Sequence, residues 1–173
     1  QEIADEAGIN RTLLHYYYRS KDKLFEAVFQ SVVHKFFPKL EILMDSDKDF
    51  FEKIRLFIHG YMGILQENPF IPLFMLHEIN NDPRRISEII QSAGVNPAVF
   101  GMHIMQEVQE GKIKPIDPRQ LITNMISLCV FPFVGAPLLN EILFMGDKHA
   151  YAEFIEKRKT EVAEFIIQSI KAE

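Results

Sequence analysis

At 173 residues with a formal net charge of −5, the chain is long enough for one well-cored domain or a small unit joined to a larger one, and too acidic overall to coat nucleic acid indiscriminately. Hydrophobic residues make up 47%, yet the most apolar run, Leu128 to Val134, is far short of a membrane span and reads as a buried helix segment. The single cysteine, Cys129, excludes an internal disulfide, and with no signal peptide visible the composition points to a cytoplasmic protein.

The first predicted helix covers residues 1–7 and sets Ile3, Ala4 and Ala7 on an inner face. Gly8 then supplies the left-handed position that ends such a helix, and Asn10 is an N-cap for the next. In the second helix Leu14 and Tyr18 share an inward face, i to i+4. That pattern leaves Arg11, Thr12, Leu13, His15, Tyr16 and Tyr17 on or near the outer faces, where a recognition helix carries the side chains that reach base edges and phosphates. Ser20 starts a third helix at once, with Lys21 in its first turn beside the free N-terminal amides, a natural phosphate position. From Arg11 to Lys23 there are four basic side chains, Arg11, Arg19, Lys21 and Lys23, against the single acid Asp22, so the basic patch sits on this helix-turn-helix.

Ile3-Ala4, Ala7-Gly8-Ile9, Leu14, Tyr16 to Tyr18, Ser20-Lys21 and Leu24 fall without a gap on the signature of the TetR family of bacterial transcriptional repressors, which this segment closely resembles. The resemblance covers about the first 30 residues; His15, Leu13 and Tyr17 depart from the usual tyrosine, threonine and histidine, so no operator sequence carries over. It implies double-stranded operator DNA as a partner, with Asn10, Arg11, Thr12, Leu13, His15, Tyr16, Tyr17 and Lys21 as the contact residues. It also implies a homodimer and a small-molecule effector held in a largely apolar cavity. Domains of this type begin one helix earlier, and the expectation is that a segment precedes Gln1.

Beyond the motif the chain reads as helix after helix. Leu24, Val28, Val32, Phe36 and Leu40 recur along a helix from Ser20 to Leu43 that Pro38 should kink or interrupt. Asp45 to Asp49 is a polar break. A strongly amphipathic helix follows, with Phe50, Ile54, Phe57, Ile58, Tyr61 and Leu65 on one face, ending near Asn68-Pro69. A short helix spans about Ile71 to Ile79. Asp82-Pro83, Asn96-Pro97 and Asp117-Pro118 each pair a capping side chain with a first-turn proline, opening helices that run to Ile90, to Glu110-Gly111 and to Phe131, where Pro132 bends or ends the last. Gly135-Ala136-Pro137 begins an apolar segment to Met145. The final helix runs from about Lys148 to Lys171 with a broad apolar face.

The fold class expected is therefore all-α, a helix-turn-helix domain over residues 1–30 joined to a helical bundle over 31–173. In the layout the resemblance implies, the Asp117-Pro118 helix and the last helix pair with their copies, which makes Leu121, Met125, Leu128, Phe154, Val162, Phe165 and Ile166 the dimer candidates. Polar groups set among apolar faces, Tyr61, His77, Asn81, His103 and Asn124, are the candidate effector ligands. No cofactor and no metal site is expected. Asp45, Asp47 and Asp49 imitate a calcium loop, but Phe50 and Leu56 stand where glycine and a bidentate glutamate belong, and no two of the six histidines are spaced i, i+4. Without a phosphate loop, a nucleophile elbow or an activated thiol, an enzyme is not expected. The sequence thus points to a ligand-responsive repressor; the alternative is a helical ligand-binding or adaptor protein that does not touch DNA.

Overall fold

The computed structural model describes residues 2–45, 47–92, 94 and 96–172, with the side chains at 2, 33 and 37 excepted. Gln1 and Ser46, which fall in the first predicted helix and in the polar break, lie outside it. Among the described residues ten helices run in order: α1 (Glu2–Glu6), α2 (Arg11–Tyr18), α3 (Lys21–Met44), α4 (Phe50–Glu67), α5 (Ile71–Asn81), α6 (Pro83–Ser92), α7 (Pro97–Gln109), α8 (Pro118–Val134), α9 (Ala136–Phe144) and α10 (Lys148–Ile170). The only extended pairing among the described residues is an isolated bridge between Ile113 and Lys171. The chain divides into two compact units, Gln1–Lys35 and Phe36–Glu173, with α3 running through the division.

The helix starts follow the local chemistry read from the sequence. Asn10, Asn96 and Asp117 each accept a hydrogen bond from the backbone N–H two residues on, at 2.8, 3.0 and 2.9 Å, and Asp82 accepts from the Arg85 N–H at 3.0 Å. Asp49 and Asp147 do the same for α4 and α10, each accepting two amides. Gly8 has φ +64°, the left-handed conformation that its place after α1 requires.

In the larger unit, α10 packs along α4, and α8 packs on both. The core they close is built from Phe50, Ile54, Phe57, Ile58, Met62 and Leu65 of α4, Leu121, Met125 and Cys129 of α8, and Ile155, Val162, Ile166, Ile167 and Ile170 of α10. At its edge the Arg55 guanidinium of α4 donates to the Glu164 carboxylate of α10 at 2.6 Å. Ile113 is buried because the Lys114 N–H donates to the Ile170 carbonyl (2.7 Å) and the Ala172 N–H to that of Lys112 (3.2 Å), pinning the loop before α8 to the end of α10.

Two expectations are corrected and two are narrowed. Ile3 and Ala7 are exposed and only Ala4 of the first inner face is buried, because α1 is a single short turn that contacts α2. On α3 the buried position is Phe29, not its exposed neighbour Val28. Pro38 does not interrupt α3; it and His34, whose carbonyl it leaves without a helical donor, are both exposed, so water can take that carbonyl. Pro132 likewise does not end α8, which continues to Val134 before the chain bends by 75° into α9. The carbonyl that Pro132 cannot serve, that of Leu128, accepts from the Arg158 guanidinium at 3.4 Å, and the Tyr151 hydroxyl donates to the Pro132 carbonyl.

Candidate nucleic-acid interface

Two helices and a tight turn present this surface. The Asn10 side chain is committed to the Thr12 N–H, so its role is to start α2 rather than to reach outward. From that start Arg11, Thr12, Leu13, His15, Tyr16 and Tyr17 are all exposed, while Leu14 and Tyr18 are half-buried, as the i to i+4 spacing predicted. Tyr16 and Tyr17 are 77% and 69% exposed and meet edge to face at 5.5 Å, so both hydroxyls stand clear of the unit. A tyrosine this exposed adds nothing to a core, whereas its hydroxyl can donate to a phosphate and its ring can cover sugar.

The turn after α2 brings the next cations into place. Arg19 has φ +56°, an uncommon conformation for a side-chain-bearing residue, and its N–H donates to the His15 carbonyl at 2.8 Å to close α2. Ser20 then accepts from the Lys23 N–H at 3.2 Å, capping α3 and leaving Lys21 exposed in its first turn. Arg11, His15, Arg19 and Lys21 line a groove of about 290 Å³ together with Ile3, Leu14, Tyr18 and Leu24. Helix N-terminal amides and the Arg11, Arg19 and Lys21 cations beside an exposed helix form an anion-seeking face.

The family model for bacterial regulatory proteins of the tetR family matches residues 1–28, the same stretch that builds this face. The N-terminal segment is thus similar to the DNA-binding part of tetR-family regulators. Over a longer span the chain is similar to nucleoid occlusion factor SlmA of Vibrio campbellii, at 21% identity over 128 residues. The SlmA proteins of Aliivibrio fischeri and Mannheimia succiniciproducens match at 22% over 128 and 20% over 135 residues. These matches take in 72%, 72% and 76% of this chain and 65%, 65% and 62% of the respective relative, so the chain spans just under two thirds of the relatives it matches.

The candidate effector ligands lie on four helices of the second unit, α4, α5, α7 and α8. Tyr61 is enclosed between Phe36 at 5.1 Å and Phe57 at 5.3 Å, and burial pushes its hydroxyl well above the usual phenol range. His77 and Asn81 are exposed on α5 and contact each other at 2.8 Å, and Asn124 is exposed on α8, so these polar residues at the border of an apolar stripe fall on its solvent side. His103 is partly buried, with Nδ1 3.3 Å from the Leu43 carbonyl and 3.5 Å from the Lys53 ammonium. Lys53, only 4% exposed, is the residue sequence reasoning missed. Its signal was there: position 53 lies within the apolar stripe of α4, three residues after Phe50 and four before Phe57.

The dimer candidates divide similarly. Leu121, Met125, Val162 and Ile166 are 1–3% exposed inside the unit's own core and are corrected on that ground; Leu128 and Phe154 are half-buried, and Phe165 is 66% exposed. Phe131, Leu138, Ile142, Leu143 and Met145 of α8, α9 and the turn after them are also more than half exposed. Cys129 is fully buried and its thiol is pushed up to about 12 by desolvation, the state of an inert core thiol.

Proposed function

We propose that this chain is a DNA-binding transcriptional regulator that docks α2 in the major groove of duplex DNA and works as a homodimer. Its larger unit answers to a small molecule, and the protein has no catalytic role. The observation that carries this reading is the coincidence of the tetR-family match with a face whose Arg11, Thr12, His15, Tyr16 and Lys21 are all exposed and serve no internal packing. Two such faces, related by a two-fold axis, would read half-sites about one helical turn apart. Effector binding would then favour a state in which the two α2 helices are wrongly spaced, and so lower DNA affinity.

The relatives' match well past residue 28 favours a second reading, a role in nucleoid occlusion like that in the relatives' name, in which the chain marks many chromosomal sites rather than one promoter. Both readings use the same face. Mapping bound fragments of the source chromosome separates them: a regulator of one operon gives one or a few peaks near a promoter, and an occlusion factor gives many spread along the chromosome. Enrichment of no fragment above a Lys21→Ala, Tyr16→Ala control would remove both.

A further inference from the structure

We propose that Lys53 and His103 form an anion site that takes the carboxylate of a small molecule with an apolar body, at the point where the end of α3 meets α4 and α7. The proposal rests on the effector-responsive reading above and names the chemistry of the effector.

The stacked rings of Phe50 and Phe100, 5.9 Å apart, join α4 to α7. Three residues further along each helix come Lys53 and His103, so the same seam that begins with an aromatic pair continues with a polar one, 3.5 Å apart. Lys53 is more than nine-tenths buried, and among the described residues no carboxylate forms an ion pair with it. Asp45 lies within its electrostatic range, but the Asp45 carboxylate already accepts from the Asp47 N–H at 2.9 Å and pairs with Lys48 at 3.6 Å. A buried ammonium with no counter-ion is unfavourable unless it is paired.

His103 cannot satisfy it. Its Nδ1 is also 3.3 Å from the carbonyl of Leu43, one of the last four of α3, which have no donor within the helix. A single ring nitrogen either donates to that carbonyl or accepts from the ammonium. A carboxylate resolves the conflict: it accepts from Lys53 and frees the Nδ1–H of His103 to donate to Leu43. The neighbours along the seam, Phe50, Ile54, Phe100 and Ile104, are buried and apolar, so what accompanies the carboxylate is hydrocarbon.

The test uses the full chain and straight-chain carboxylates from acetate to decanoate, with the matching alcohols as controls, read by melting temperature and by duplex-DNA affinity. The longer carboxylates should raise the wild-type melting temperature by about 4 °C near saturation and the alcohols should not. Lys53→Met, which fills the same volume without charge, and His103→Gln should each bind the carboxylate at least about tenfold more weakly, with DNA affinity in its absence within about threefold of wild type. Carboxylates that leave the wild type unmoved, or that move Lys53→Met as much as the wild type, overturn the site. If carboxylate binding requires Lys53 but leaves DNA affinity unchanged, the site stands and the effector-responsive reading falls. If DNA is released by these compounds equally in Lys53→Met, the reading stands and the site falls.

Discussion

Lys21 and Tyr16 are expected to act through the DNA backbone, because one is a charge at a helix N-terminus and the other a hydroxyl held clear of the unit. Lys21→Ala should weaken binding to specific and unrelated duplexes by similar factors and reduce the dependence of log affinity on log salt by about one unit. Tyr16→Phe should weaken both duplexes alike with no change in that slope. A titration at several salt concentrations checks both. Asp147 belongs to the same scale. The Ala150 and His149 amides hold its carboxyl below the usual carboxylate range, so its folded-state pKa is depressed, and the stability it contributes is present above the unfolded value and lost as pH falls through the folded one. The melting temperature of wild type should therefore exceed that of Asp147→Ala at pH 7, with the gap closing below about pH 4. Single residues were legible where their role is local. The caps at Asn10, Asn96 and Asp117 need only the next two or three residues, whereas Ile3, Val28, His77 and Lys53 are exposed or buried by elements distant in sequence.

Helix α8 illustrates how an element survives a residue that should end it. Pro132 removes one backbone donor, and α10 replaces it with Arg158, which reaches the Leu128 carbonyl from thirty residues away. Replacing Arg158 by Met should keep the volume of its stem while removing both the donor to that carbonyl and the guanidinium that lies 5.6 Å over the Phe154 ring, lowering stability by about 1–3 kcal/mol in urea unfolding. In α4 the two glycines differ. A β-carbon at Gly60 would meet the Lys39 side chain at 2.7 Å, whereas one at Gly63 would meet nothing within 4 Å. Gly63→Ala should thus stabilise the protein by about 0.5–1 kcal/mol through reduced chain entropy and better helix propensity, read as a higher urea midpoint. Nine of the ten helices among the described residues were legible from caps, prolines and periodicity; α9 read only as an apolar segment. The persistence of α8 was not, since it depends on a side chain from α10, nor was the bridge that ties Ile113 to the C-terminal end of that helix.

At the scale of the whole molecule, the helix-turn-helix and the likeness to the tetR-family model were readable in Ile3 to Leu24, while the surface proposed to join two copies was not. A strong apolar periodicity looks the same whether it faces its own core or another chain. The core took Leu121, Met125, Val162 and Ile166, and what remains outward includes Phe165, Leu138, Ile142 and Met145. Exposed apolar groups of that size on one set of helices are what a subunit interface leaves behind in a single chain. The protein should sediment as a dimer at micromolar concentration, and Phe165→Glu should shift it toward monomer.

The central claim is that the face built by α2 and the start of α3 binds duplex DNA. The most direct measurement is the affinity of the full chain for fragments selected from its source chromosome, for wild type and for the pair of changes Tyr16→Ala and Lys21→Ala, by fluorescence anisotropy at two salt concentrations. The account predicts that wild type binds selected fragments at least about a thousandfold more tightly than unrelated DNA, and that the double variant loses more than about tenfold on both without a change in melting temperature. Wild-type binding no tighter to selected than to unrelated DNA, or a double variant that binds as well as wild type, would contradict it.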